Sequence, residues 1–382
     1  MRVLMAVASD IFTDARVRRE ATALAEEGHQ VRVIGFDYTV TRPETKTEEG
    51  VTYRLFPFPS RNRSRSARVL GFGRFWARAA WEIVRSRADV IHSHNLHLAV
   101  PCAVAAARRK IPLVYDAHEV VDVMLSGAMR AVGVRYEHLI WKRAASVITT
   151  NESRALHLQR IHGGPLPAVV GNYPRLPADL RPVDLRARLG IGADQRILIY
   201  QGGFYVHARC FDRVAEAVAG MPDWHFVLLG FGSEATVALL RQQMAEAGIA
   251  DRAHILPPVP AAELLHYTAG ADAGVVPLLK VVGNELGDTN KLFEYLLVGK
   301  PAIGSDFPEI RRAILDNPIG PVGAVFDPDA PETIEMALKD LDARLEDYAS
   351  RAATVGNRYY SWANERQNLV DVYRLLPPVA DI

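Results

Sequence analysis

MRVLMAVASDIFTDARVRREATALAEEGHQVRVIGF, residues 1–36, holds one full turn of the fold. Residues 3–8 are an apolar run of strand length. Residues 14–27 carry helical spacing and stop at Gly28, and residues 31–36 return to strand. Two apolar strands joined by a helix imply a right-handed crossover and a parallel sheet covered on both faces. The same rhythm continues with strands expected at 90–92, 113–115 and 147–150, and helices at 66–87 and 96–109. It starts afresh further on. There the strands are expected at 197–200, 226–229, 254–256, 273–276, 302–303 and 324–326, and the helices at 209–219, 234–247, 291–298 and 332–345. Between the two series, residues 172–182 are proline-rich without periodicity, which places the boundary near 174–193. The expected units are residues 1–175, residues 194–356, and a tail, 357–382, that returns as a helix to the first domain. The fold class is α/β, two doubly wound domains facing across a cleft. Ligands of such sheets bind beyond the carboxyl ends of the strands, so the cleft is the expected site.

The composition agrees. The chain has 382 residues, 49% hydrophobic and 23% charged, enough to bury full cores. Cys102 and Cys210 are too few for a disulfide framework, and a reducing cytoplasm is the expected compartment. The start reads as a buried strand rather than a signal peptide. The longest apolar run, residues 98–107, is far short of the roughly 20 residues a spanning helix needs. The net charge of +1 hides an asymmetry. Residues 1–175 hold 26 Lys+Arg against 16 Asp+Glu, and the remainder 19 against 28. The basic half suits an anionic ligand or surface.

The most informative chemistry lies in Gly287-Asp-Thr-Asn-Lys-Leu-Phe-Glu-Tyr-Leu-Leu-Val-Gly-Lys-Pro301. Thr289 or Asn290 can cap a helix that Gly299 and Pro301 end. Its N-terminus offers free N–H groups to a phosphate. Glu294, one turn in, can accept hydrogen bonds from sugar hydroxyls, or can be an ordinary exposed glutamate. With Lys291-Leu-Phe-Glu294 running on to Gly304-Ser-Asp306 and Pro308-Glu-Ile310, the stretch resembles the donor-site helix of GT-B glycosyltransferases of family 4. The resemblance spans nearly the whole chain. Asp14-Ala-Arg16 to Glu20, Ala25 to Val31, Ala88 to Asn95, and Val114-Tyr-Asp116-Ala-His118-Glu119 look like the first, acceptor-binding domain. Tyr200-Gln-Gly202-Gly203 and Val227 to Gly232 look like donor-domain strands, and the terminal Tyr-Ser-Trp362 helix is similar to the one that returns to the first domain.

The resemblance implies transfer of a sugar from a UDP- or GDP-linked donor to a glycan, lipid-linked or small-molecule acceptor. Anomeric configuration is retained, with no cofactor and no metal. His118, Arg209 and Glu294 are implied as catalytic. Gly202, Gly203, Gly230, Thr289, Asn290 and Lys291 join Glu294 at the donor. Asp14, Arg16, His94, Asn95, Asp116 and Glu119 stand on the acceptor side. Two departures stand out. The family's pair of glutamates is spaced E-x7-E, but Leu286 occupies the first place and Glu285 is off by one. The family's Arg, with a Lys six residues later, is here Gly203 and Arg209. Arg209 reads as the start of a helix after a Gly202-Gly203 turn, where guanidinium and backbone N–H groups meet phosphate. It can equally be a surface arginine.

Other patterns are weaker. His92, His94, His97 and His118 cluster at strand ends and are structural histidines or, less simply, a metal pair. Gly230-Phe-Gly232-Ser-Glu-Ala235 mimics a dinucleotide fingerprint, but no acidic residue closes the following strand. Asp327-Pro-Asp329 mimics a metal motif and is expected to be a turn. The alternatives to a transferase are a GT-B sugar-nucleotide epimerase, an NAD-dependent oxidoreductase, or a non-enzymatic nucleotide-sugar binder. Residues 60–81 hold six arginines (61, 63, 65, 68, 74 and 78) among Val69, Leu70, Phe72, Phe75, Trp76 and Trp81, with no acid. That mixture suits an anionic membrane surface, at the inner face, an anionic acceptor or partner protein, or an arginine loop before a helix whose aromatics pack inward. No nucleic-acid motif accompanies it.

Overall fold

The computed structural model describes residues 1–38, 42–58, 64–281, 283–287 and 289–378. The chain divides into two units, Met1–Gly171 with Arg366–Ile382, and Asn172–Glu365.

In the first unit the opening strand organises the sheet. The elements run β1 (Arg2–Asp10), α1 (Ala15–Glu26), β2 (Gln30–Asp37), β3 (Thr45–Glu48), β4 (Val51–Pro57), α2 (Arg65–Arg85), β5 (Val90–His94), α3 (Ala99–Arg109), β6 (Leu113–Asp116), α4 (Val121–Met124), α5 (Gly127–Trp141), β7 (Ser146–Thr149), α6 (Glu152–His162) and β8 (Ala168–Val169). Among the described residues the strand order is β3-β4-β2-β1-β5-β6-β7-β8. Val3 of β1 pairs in parallel with Val31 on one side and Val90 on the other. Leu4, Ala6, Ile34, Ile91 and Leu113 form one core with Phe75 and Ala79 of α2, Cys102 and Ala106 of α3, and Ile140 and Trp141 of α5.

The sheet is not wholly parallel: β3 runs antiparallel to β4 at the edge. Its sequence, Thr-Lys-Thr-Glu, has no apolar alternation, so the strand is paired by its backbone rather than announced by its side chains. Helices α5 and α6 also lay outside the sequence expectation. Met129, Val132, Leu139 and Leu156 on them face solvent, which blurs the apolar stripe that marks a packed helix.

The second unit continues with α7 (Leu185–Leu189), β9 (Arg196–Gly203), α8 (Phe211–Ala219), β10 (Trp224–Phe231), α9 (Glu234–Glu246), β11 (Ala253–Leu256), α10 (Leu264–Ala269), β12 (Ala273–Val276), α11 (Asn290–Leu297), β13 (Ala302–Ser305), α12 (Pro308–Ile314), β14 (Gly323–Phe326), α13 (Pro331–Ala343) and α14 (Leu345–Tyr359); α15 (Trp362–Arg374) begins here and from Arg366 onward belongs to the first unit. Its strands are ordered β11-β10-β9-β12-β13-β14, each pair parallel.

The proline-rich stretch belongs to this unit. Val183 donates its N–H to the His266 carbonyl, and Arg186 on α7 pairs with Asp272 at 2.6 Å. The tail is two helices rather than one. Helix α14 ends as Tyr360 leaves helical geometry (φ −127°, ψ 36°), and α15 follows. Arg366 on α15 pairs with Glu26 at 2.8 Å and Glu27 at 3.1 Å within the first unit. Among the described residues no helix is long and apolar enough to cross a membrane.

Candidate active site

In the second unit, β9 ends in Tyr200-Gln201-Gly202-Gly203. Gly202 lies opposite Gly230 of β10 and takes a positive φ of 119°. A Cβ on Gly230 would stand 1.9 Å from the Gly202 carbonyl oxygen, so only glycine lets these two backbones close. Gly202 and Gly203 are therefore the end of a strand, not the turn expected from the sequence. The Tyr200 hydroxyl donates to the Gly203 carbonyl at 2.7 Å, and Lys291 from the first turn of α11 lies 5.1 Å above the Tyr200 ring.

Lys291 is half-buried, and no carboxylate is ion-paired with it among the described residues. Burial, and then the charge of Arg209, push its ammonium down to about 7, although Glu294 pulls the other way. Thr289 holds the N-cap position of α11, but its buried hydroxyl has no hydrogen-bond partner. The Asn290 side-chain oxygen accepts from the Asn172 amide at 3.0 Å. Gln201 donates to the Glu294 carboxylate, and the Thr268 hydroxyl donates to the Gln201 oxygen at 2.6 Å. Glu294 is thus oriented from inside the domain.

Arg209 corrects an expectation. It does not start a helix: its backbone is extended (φ −138°, ψ 139°), bridged antiparallel to Leu278, two residues before α8. An extended backbone here carries the side chain beside Tyr200 and Lys291, on both of which its charge acts. Glu285 is exposed on a turn, and its neighbour Asp288 lies outside the described residues. Asp327 and Asp329 pair with Lys280 at 2.6 and 3.1 Å, and the Asp329 N–H donates to Asp327 Oδ1, so this pair forms the expected turn. Gly232 precedes Ser233, which caps α9.

The first unit gathers Arg16, His94, Asn95, Asp116, His118 and Glu119 where β5 and β6 end. Asp116, fully buried, accepts from Arg16 through two N–H groups at 2.9 Å each, from His94 Nδ1 at 2.9 Å and from His118 Nδ1 at 2.7 Å. Burial alone would raise its pKa. Arg16, His118 and the N–H donors outweigh that and hold the carboxyl well below its usual range. An ionised carboxylate only accepts, so both imidazoles carry their proton on Nδ1. His118 Nε2 then accepts from the Asn95 amide at 2.8 Å, and the Asn95 oxygen accepts from the Glu119 N–H at 3.1 Å. Asn95 does this from the left-handed region, φ 58°, which non-glycine residues rarely adopt. Asp14 stands apart as the cap of α1, accepting from Val17 N–H and from the Ser9 hydroxyl at 2.7 Å.

His92, one of the strand-end histidines, completes this cluster with Glu20 and Tyr373, which carried no role in the sequence reading. Glu20 lies 3.0 Å from Arg16, and burial raises its pKa, with Asp116 adding to the rise. His92 Nδ1 meets the Tyr373 hydroxyl of α15 at 2.9 Å. The ligand atoms of Glu20, His92, His94 and Asp116 lie within 4.8 Å of one another. The Asp116 oxygens are taken by Arg16, His94 and His118, whereas the Glu20 oxygens and the Nε2 atoms of His92 and His94 are buried without a hydrogen-bond partner among the described residues. The i, i+4 spacing of Arg16 and Glu20 was the signal available for Glu20. For Gln201 it was a lone amide between an aromatic and two glycines.

Two domains with parallel strands, and chemistry at the strand ends of each, define a GT-B glycosyltransferase. The model of the glycosyl transferase 4-like domain matches residues 13–172, and that of glycosyl transferases group 1 matches residues 195–343. The chain belongs to glycosyltransferase family 4 of that fold. It is 27% identical over 305 residues to a D-inositol 3-phosphate glycosyltransferase of Mycolicibacterium gilvum, a match covering 75% of this chain and 65% of the relative's length. Among solved structures, sucrose-phosphate synthase of Thermosynechococcus elongatus superposes with a TM-score of 0.75 at 16% identity, covering 98% of this chain and 99% of the other. Anabaena Alr3699/HepE in complex with UDP gives 0.72 at 17%, covering 98% and 100%.

Proposed function

We propose that this chain transfers a sugar with retention from a nucleotide diphosphate donor to a glycan, lipid-linked or small-molecule acceptor, without a metal ion. The observation that carries the reading is the uncompensated pair of cations in the second unit, Lys291 and Arg209, beside a glutamate held by Gln201. A diphosphate supplies the charge those cations lack, and the Glu294 carboxylate suits the ribose hydroxyls. The bond from the anomeric carbon to the diphosphate breaks, the bond to the acceptor oxygen forms, and the acceptor's proton leaves to the diphosphate. Arg209 and Lys291 stabilise the charge that develops on the leaving oxygen, the role that positioned cations play in a dry site. His118, pinned by Asp116 and Asn95, presents a fixed edge to the acceptor side. The complexed UDP of the Anabaena structure supports UDP as the first donor base to test.

The deciding measurement is hydrolysis and transfer across UDP- and GDP-sugars, with and without chelator. Transfer that survives chelation and retains configuration supports the proposal. Activity restored only by manganese or magnesium removes the metal-free reading. Interconversion of donor sugars without any acceptor would favour the epimerase.

A further inference from the structure

The arginine-rich stretch begins outside the described residues, which omit positions 59–63 and with them Arg61 and Arg63. From Ser64 onward its side chains divide between core and solvent. Phe75 points into the core and Phe72 packs on it, as an inward-facing helix requires. Leu70 and Trp81, however, are each 62% exposed. The helices that share this core, α3 and α5, behave alike. Val104 of α3 faces out, and on α5 Met129 is 65% and Val132 63% exposed. Basic side chains surround these apolar ones: Arg74, Arg78 and Arg85 on α2, Arg108 at the end of α3, and Arg130 and Arg135 on α5 are all exposed. No acidic residue of the three helices is exposed. Glu82 is taken up by Arg32 and Arg54, and Glu137 is buried against Tyr115 and His162.

We propose that the outer face of α2, α3 and α5 docks on an anionic lipid bilayer. Chemistry selects the occupant. A second copy of the chain would bring like charge against like charge, which disfavours self-association. A nucleic acid would satisfy the arginines and leave the aliphatic Leu70, Met129 and Val132 in water. A bilayer accepts both: apolar side chains enter the acyl boundary, Trp81 sits at headgroup level, and the cations meet anionic headgroups. The face also adjoins the first unit's polar cluster. Trp76 of α2 donates its indole N–H to the His97 carbonyl at 3.0 Å, and a cavity of about 290 Å³ bounded by Asn95, Leu96, Glu119, Met124 and Tyr136 opens beside α5. The surface uses none of the residues assigned to donor or acceptor chemistry, so the docking stands or falls separately from the transferase reading.

The test is co-sedimentation of the full chain with vesicles of phosphatidylglycerol and phosphatidylcholine, against phosphatidylcholine alone and against duplex DNA. The expected result is partition to the anionic vesicles only, weakened by salt through screening, with a blue shift of tryptophan fluorescence. Leu70→Ser with Trp81→Ser, and separately Met129→Ser with Val132→Ser, should each lower partition about tenfold while thermal unfolding and donor hydrolysis stay unchanged. Absence of binding by the unmodified protein at low salt overturns the proposal. So does equal retention by duplex DNA with no effect of the apolar replacements, which would make the face a polyanion site. A Met129/Val132 variant that binds normally removes α5 and with it the three-helix surface.

Discussion

The two polar clusters are built on opposite principles. In the first unit, the charge of Asp116 is compensated internally by Arg16 and two imidazoles, and Arg16 also donates to the Val170 carbonyl at 2.7 Å; Glu20 and the Nε2 atoms of His92 and His94 are left without a hydrogen-bond partner among the described residues. In the second unit, charge is left over. Lys291 and Arg209 have no carboxylate in an ion pair among the described residues, and the Thr289 hydroxyl is unpaired. A closed network fixes geometry whether or not ligand is present. An open one costs stability until an anion arrives. The first cluster is therefore a rigid frame that carries His118, and the second is the place where substrate charge is received.

The frame should break hardest. Asp116→Ala leaves the buried Arg16 guanidinium facing Glu20, whose carboxyl is driven toward the neutral form by burial, and removing one side of a buried pair costs about 3–5 kcal/mol. The measurement is chemical denaturation. The double variant Arg16→Met/Asp116→Ala should recover much of the loss, because the stranded charge goes with it. If the single and double variants are equally destabilised, the network is not the closed system described.

The receiving cluster should show the reverse signs. Arg209→Ala and Glu294→Gln should each lower turnover about 10²-fold, on the scale of one lost transition-state contact, with unfolding midpoints nearly unchanged. Lys291→Met should raise the midpoint slightly, since a half-buried cation without an ion pair is replaced by an apolar side chain of similar volume, and should weaken nucleotide binding. Normal turnover at saturating donor in the Arg209 and Glu294 variants would remove the donor assignment.

Much of this contrast is legible in the amino-acid sequence alone. The β1–α1–β2 pattern and the Lys291–Glu294 helix are dense local signals, because strand burial and helix capping are short-range requirements. Asp116 beside His118 was expected to orient it, but the joining of Arg16 and Asn95 to that pair was not: Arg16 and Asp116 are 100 positions apart. Gln201, Thr268 and Tyr373 escaped for the same reason, since a buried hydrogen bond leaves no periodicity. The extended backbone of Arg209 is fixed by its bridge to Leu278, a partner 69 positions away that local spacing cannot reveal.

A smaller effect separates holding Glu294 from its chemistry. Gln201→Leu keeps the strand volume but removes the donor to Glu294 and the acceptor for Thr268. It should raise KM for the nucleotide sugar about tenfold with little change in kcat, the signature of lost uniform binding. An equal fall in kcat would mean that Gln201 acts on the transition state.

The finest test of the open cluster is a proton count at Lys291. Its ammonium is pushed down to about 7 by burial first and Arg209 second, against about 10.4 for a free lysine. Between those values the unfolded chain binds more protons than the folded one, so stability of the free protein rises with pH across that window. A diphosphate beside Nζ favours the charged form and raises the bound-state pKa. Nucleotide binding near pH 8 should therefore take up a fraction of a proton approaching one, and affinity should fall as pH rises further. Titration calorimetry in buffers of different ionisation enthalpy reads this directly, and the pH lies above the range, about 6, where the terminal phosphate itself titrates. Binding that is independent of buffer and pH would show that Lys291 is already charged in the free protein, which would erase the electrostatic difference between the two clusters.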